Sequence, residues 1–105
     1  MPIPTATDQD LKVAIKPEGI TMIDFTSPYC PPCKTLLPIL EQLDVELNHR
    51  IAIWQINVDE SPLAASELGI MGTPTVVIYQ NGQPVEKLTG LRPKQVYVNI
   101  LSRYL

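Results

Sequence analysis

Cysteine is scarce in this chain: two in 105 residues, beside one histidine, one tryptophan and one phenylalanine. A structural zinc site takes four ligands. Two cysteines and a distant His49 fall short, so metal binding would need a second copy or remote ligands. Positive charge is also limited. Eight Lys and Arg against eleven Asp and Glu give a net charge of -3, which leaves no basic footprint for nucleic acid and no polybasic patch for a membrane surface. No apolar run approaches the roughly 18 residues of a membrane span. No glycine-rich loop could cradle a nucleotide phosphate, and no repeat or low-complexity segment is present. The opening residues, Met1 to Asp8, lack a basic region followed by an apolar core. A secretory signal is therefore not expected, and a cytoplasmic location is.

At this length a single domain over 1–105 is expected, and 45% hydrophobic residues can supply its core. The eleven prolines are scattered at element starts and turns rather than gathered in a linker.

The two cysteines lie together as Cys30-Pro31-Pro32-Cys33, between an apolar run and a stretch of helical periodicity. A strand leading through a short loop into a helix puts Cys30 at a helix N-terminus, where the helix dipole favours a thiolate. A second thiol three residues on can attack a mixed disulfide formed at the first, so the spacing suggests a two-electron dithiol/disulfide switch. The competing readings are half a metal site or two inert buried thiols. In a reducing compartment a lone pair is catalytic or metal-binding rather than a permanent staple.

Thr7 and Asp8 can cap a short helix over about 8–15 that Pro17-Glu18-Gly19 ends. Ile20 to Phe25 reads as a strand covered on both faces. Leu36, Leu40, Leu43 and Leu47 give the helix from Pro31 to Leu47 its apolar stripe, with a kink expected at Pro38. A second strand covers Ile51 to Val58. A short helix opens at Ser61-Pro62 and ends at Gly69. Thr75 to Tyr79 is a third strand. Asn81-Gly82 is a two-residue hairpin signal that returns Val85 to Thr89 antiparallel. Pro93 opens a last helix with Val96, Tyr97, Ile100, Leu101 and Tyr104 facing inward. Strands separated by helices imply parallel crossovers, and the hairpin adds an antiparallel edge. The fold class is α/β, a central mixed sheet with helices on both faces.

From Thr7 to the C-terminus the chain resembles the thioredoxin family. The matching pieces, in order, are Ile23-Asp24-Phe25, the Cys30–Lys34 motif with Pro38 in the following helix, Asn57-Val58-Asp59, Gly72-Thr73-Pro74-Thr75, Asn81-Gly82 and Gly90. Several positions depart from the family pattern. Tyr29 stands where a tryptophan commonly precedes the first cysteine, Pro31 where a glycine is usual, Thr26 where a second tryptophan is common, and Gln55 where a lysine often neighbours the buried Asp. The lone Trp54 sits beside that last position.

The resemblance implies a thioredoxin fold and a thiol–disulfide oxidoreductase. It would act as a cytosolic protein-disulfide reductase on disulfide-containing proteins, with no bound cofactor. Electrons would come from an NADPH-dependent flavoprotein of the thioredoxin-reductase kind. Alternatives are an isomerase or oxidant of higher potential, and a thioredoxin-fold interaction module without turnover. Cys30 would be the nucleophile and Cys33 the resolving thiol. Asp24, set among apolar residues, should titrate unusually high and by resemblance helps move the Cys33 proton. The bland reading of Asp24 is a structural acid bonded to backbone. A lone X–Pro bond is cis in only about 5–6% of cases, but the resemblance makes Pro74 cis, leaving the Thr73 backbone free to pair with an extended substrate. Tyr29 is either part of the substrate rim or a packing aromatic. Gly90 either admits a close partner or is a loop glycine. Pro31 and Pro32 lack backbone N–H donors for a thiolate, which argues for the reducing end of the scale. Lys34 and His49 read as surface residues, Met22 and Trp54 as core. A monomer suffices.

Overall fold

The apolar run that begins at Ile20 becomes the middle strand of a five-stranded sheet. The computed structural model describes residues 3–105. In chain order its elements are β1 (Thr5–Ala6), α1 (Leu11–Ala14), β2 (Ile20–Thr26), α2 (Pro31–Glu46), β3 (Ala52–Asn57), α3 (Leu63–Glu67), β4 (Thr75–Gln80), β5 (Gln83–Thr89) and α4 (Lys94–Leu101). The sheet order is β1-β3-β2-β4-β5. Strand β2 lies between β3 and β4 and is buried from Ile20 to Phe25, as an uninterrupted apolar strand should be.

Alternation along β2 divides the core. Ile20 and Met22 face one layer, where Leu36, Leu40 and Leu43 of α2 and Tyr97 and Leu101 of α4 cover them. Ile23 and Phe25 face the other, covered by Ala64 and Ala65 of α3 and by Leu11 and Ile15 around α1. Leu36, Leu40 and Leu43 are wholly buried, and each such side chain contributes about 1.5–3 kcal/mol through burial. Period 2 on the strands and period 3.6 on the helices thus build the helix–sheet–helix sandwich expected for this fold class.

Four details differ from the sequence expectation. The short strand β1 carries no propensity signal of its own. It exists because it pairs in parallel with β3, Thr5 opposite Gln55, with the Gln55 N–H donating to the Pro4 carbonyl at 2.9 Å. The first helix shrinks to Leu11–Ala14. Asp8 caps a different helix: its carboxylate accepts from the N–H groups of Leu63 and Ala64, at 2.9 and 3.0 Å, at the start of α3. The antiparallel character begins one strand before the hairpin, since β4 runs antiparallel to β2 while β3 runs parallel to it. The connection from Asn57 to Thr75, which contains α3, returns to the end of the sheet it left, so that Thr75 pairs with Phe25 beside Ile56. The chain therefore re-enters the sheet from the end at which β3 leaves it. Helix α2 continues through Pro38, the position of the expected kink. That residue lies on the exposed side, where water can serve the carbonyl it leaves without a partner.

The hairpin turns at Asn81 (φ +52) and Gly82 (φ +85), the left-handed pair that a two-residue turn needs. No helix is long and apolar enough to cross a membrane, among the described residues.

Candidate active site

Strand β2 ends at Thr26, and Ser27-Pro28-Tyr29 leads into α2, whose N-cap is Cys30. Pro31 and Pro32 fill the first two helical positions, where an N–H has no helical partner in any case. The first backbone donor of the helix is then Cys33 N–H, which donates to Cys30 Sγ at 3.2 Å. Two prolines thus leave one donor aimed at the sulfur, and the cap itself is a cysteine. Cys30 and Cys33 are joined by a disulfide with Cα atoms 5.2 Å apart. Both are largely buried, whereas Tyr29, Pro31 and Pro32 are exposed, Tyr29 to 92%.

The loop before β4 faces the cysteines. The Thr73–Pro74 peptide is cis, as the resemblance implied, and the Thr73 carbonyl oxygen lies 3.5 Å from Cys30 Sγ. The hydroxyls of Ser27 and Thr73 are 3.1 Å apart, tying this loop to the one that enters α2. Thr75 Oγ1 donates to the Gly72 carbonyl at 2.8 Å, which tightens the turn. Gly90 N–H donates to the Pro74 carbonyl at 2.8 Å. Its φ of +89 favours glycine, and a Cβ there would meet nothing within 4 Å. The surface at Gly90 is therefore open rather than filled by the protein's own packing. Cys30, Cys33, Thr73, Pro74 and Gly90 come together at one end of the sheet, with Tyr29 and Pro31 at the rim. Met71, 97% exposed, joins the same loop.

Asp24 lies on the β2 face covered by α2 and α4. It is wholly buried, and neither carboxyl oxygen has a hydrogen-bond partner. Burial pushes its pKa from 3.8 up to about 7, which meets the expectation of unusually high titration. It is not the structural acid bonded to backbone that the bland reading offered. Its register partner on β3 is Gln55. Gln55 supplies no cation and directs its amide nitrogen to the Ile3 carbonyl at 3.4 Å. Gln55 also lines a cavity of about 400 Å³ with Cys33, Lys34, Leu37 and Asn57, so solvent reaches the neighbourhood of the second cysteine from this side.

Lys34 is exposed, Met22 is wholly buried, and exposed His49 pairs with Asp44 at 2.8 Å near the end of α2. Trp54 is half-buried rather than a full core residue. It pairs with Ile23 in the layer opposite to Asp24. Among the described residues no group of three or more His, Cys, Asp or Glu side chains could hold a metal ion. Sequence reasoning passed over Ser27, whose partner is 46 residues away, and the hydroxyl of Tyr97. A tyrosine at an inward helical position was the available signal for the second, because a buried phenol needs a partner.

A mixed sheet that presents a dithiol pair at a helix N-terminus, against a cis-proline loop, defines a thiol–disulfide oxidoreductase. The comparisons agree. Residues 2–103 match the thioredoxin family model. The chain is 37% identical to the thioredoxin of Bacillus subtilis (strain 168) and 33% identical to that of Staphylococcus aureus, over 100% of each chain in both cases. A mutant thioredoxin from Halobacterium salinarum NRC-1 superposes with a TM-score of 0.88 at 28% identity, covering 98% of this chain and 89% of that one. The chain belongs to the thioredoxin family, enzymes that reduce protein disulfides.

Proposed function

We propose that Cys30-Pro31-Pro32-Cys33 is the active site of a single-domain, monomeric, cytoplasmic protein-disulfide reductase. The observation that carries this reading is the Cys30–Cys33 disulfide at the head of α2, with one backbone N–H on Cys30 Sγ and the Thr73 carbonyl beside it. The Cys30 thiolate attacks one sulfur of a target disulfide. The target S–S bond breaks, a Cys30–target disulfide forms, and the other target sulfur leaves as a thiolate. Cys33 then gives its proton to Asp24 and attacks Cys30 Sγ, releasing the second target thiolate and closing Cys30–Cys33. Two electrons have passed to the target. Asp24 suits the role because, with a pKa of about 7, it exchanges a proton near neutral pH. An NADPH-dependent flavoprotein reductase returns the two electrons.

Tyr29, Pro31, Thr73, Pro74 and Gly90 form the docking rim, where an extended target segment pairs with the Thr73 backbone. The exposed apolar side chains of this rim and the open space over Gly90 support that role.

Two measurements test the proposal. Cys33→Ser should hold target proteins as mixed disulfides through Cys30. Recovery of the same partners with both cysteines replaced would favour an interaction module instead. Equilibration with defined thiol/disulfide buffers should give a two-electron couple near about -270 mV. A value of about -180 to -120 mV would make the protein an isomerase or oxidant.

A further inference from the structure

Among the described residues, the buried side-chain nitrogen and oxygen atoms without a hydrogen-bond partner belong to two residues: both carboxyl oxygens of Asp24 and the hydroxyl of Tyr97. Each residue is wholly buried. They are distant in sequence, and packing puts them in one layer. Asp24 follows Met22 on the face of β2 beneath α4, and its cross-strand neighbour on β4 is Val76. Tyr97, in the first half of α4, belongs to the same apolar cluster as Met22 and Val76. Burial pushes the Tyr97 phenol up and the nearby Asp24 charge adds to the rise, while the Arg92 backbone N–H, which points toward the phenol oxygen without closing a full hydrogen bond and so leaves its proton free to donate, and the Arg92 guanidinium oppose it.

A polar group sealed in an apolar layer without a partner is costly, and more so when charged. Two such groups in one layer reduce that cost by serving each other across one water. The alternatives around Asp24 are poor. Gln55 on β3 directs its amide nitrogen to Ile3, and Val76 on β4 is apolar. Cys33 at the head of α2 is the proton's source. Lys34 and Glu60 line the cavity beside Cys33 but are exposed, and the Arg92 guanidinium is bonded to the Thr89 carbonyl. Tyr97 is left as the buried donor.

We propose that Tyr97 is a positioning residue for Asp24: its hydroxyl donates a hydrogen bond, through one water, to the Asp24 carboxylate. The inference rests on the reading in which Asp24 exchanges the Cys33 proton. That proton moves from the Cys33 thiol to Asp24, and Tyr97 keeps its own throughout. Its work is to stabilise the ionised form, so that Asp24 is a base at neutral pH rather than a permanently neutral acid.

Carboxyl ¹³C NMR of Asp24 against pH, in the oxidised protein, tests this. Tyr97→Phe keeps the ring and removes the donor. It should raise the Asp24 midpoint by about one pH unit, whereas a merely structural tyrosine would leave the midpoint in place. An unmoved midpoint overturns the proposal. Should the variant fail to fold, the ζ-carbon of Tyr97 in the wild-type protein should show an inflection at the Asp24 midpoint, and a flat trace there overturns it equally. The relay is read separately from Asp24→Asn. An unchanged pH dependence of disulfide reduction in that variant refutes the relay, and with it the role of Tyr97. An altered dependence together with an unmoved midpoint in Tyr97→Phe refutes Tyr97 alone.

Discussion

Replacing Asp24 by Asn should stabilise the oxidised protein increasingly as pH rises. The carboxyl is wholly buried without a hydrogen-bond partner, and burial lifts its pKa from 3.8 to about 7. Between those two values the unfolded chain has released the proton while the folded protein retains it. Stability therefore falls as pH rises, by about 1.4 kcal/mol per unit. Asp24's contribution is fully present below pH 3.8 and lost by about pH 7. The whole window is worth about 4 kcal/mol. Asn does not titrate, so it lacks this slope. Its own unpaired amide shifts the baseline by a fixed amount but adds no pH dependence. Urea unfolding of wild type and Asp24→Asn, both oxidised so that no thiol titrates, should give a stability difference that moves about 3 kcal/mol in the variant's favour between pH 5 and pH 8. A difference flat across that range would refute the reasoning, because the carboxyl would then titrate alike in the folded and unfolded protein.

The remaining predictions concern neighbouring parts of the same machinery. Gln55→Lys sets a cation at the register position opposite Asp24 and should lower the Asp24 midpoint by about one unit or more, read by the same carboxyl NMR. Pro32→His introduces a cation at the head of α2. It should make the couple more oxidising and speed iodoacetamide alkylation of Cys30 at neutral pH, with both the potential and the alkylation rate measured. Asp8→Ala removes the acceptor for the first two N–H groups of α3 and should cost about 1 kcal/mol in urea unfolding with no change in the redox couple.

The departures from the family pattern fall around the reaction centre rather than in the core. Tyr29 and Pro31 alter the exposed rim, and Gln55 removes a cation from beside the buried acid. The Pro31-Pro32 pair leaves Cys33 N–H as the first backbone donor for Cys30. The fold tolerates these changes because the layers that hold it together, Leu36, Leu40 and Leu43 against Met22 and Ile53 on one side and Phe25 and Ile56 against α3 on the other, do not depend on them.

The sequence alone determined the elements whose cause is local. The Ile20–Phe25 run could only be a doubly covered strand, the leucines of α2 repeat at helical spacing, and Asn81-Gly82 demands a tight hairpin. Cys30 and Cys33 were placed together by adjacency, and Asp24 was marked by being an acid in an apolar strand. Tertiary structure alone decided what depends on partners far along the chain. Strand β1 exists through β3, Asp8 caps a helix 55 residues away, and β4 takes its antiparallel direction from pairing with β2. Ser27 meets Thr73, and Tyr97 shares a sealed layer with Asp24. Local propensity is a property of neighbouring residues and can be read from them. A hydrogen bond or a shared dielectric belongs to groups that only the closed fold brings together.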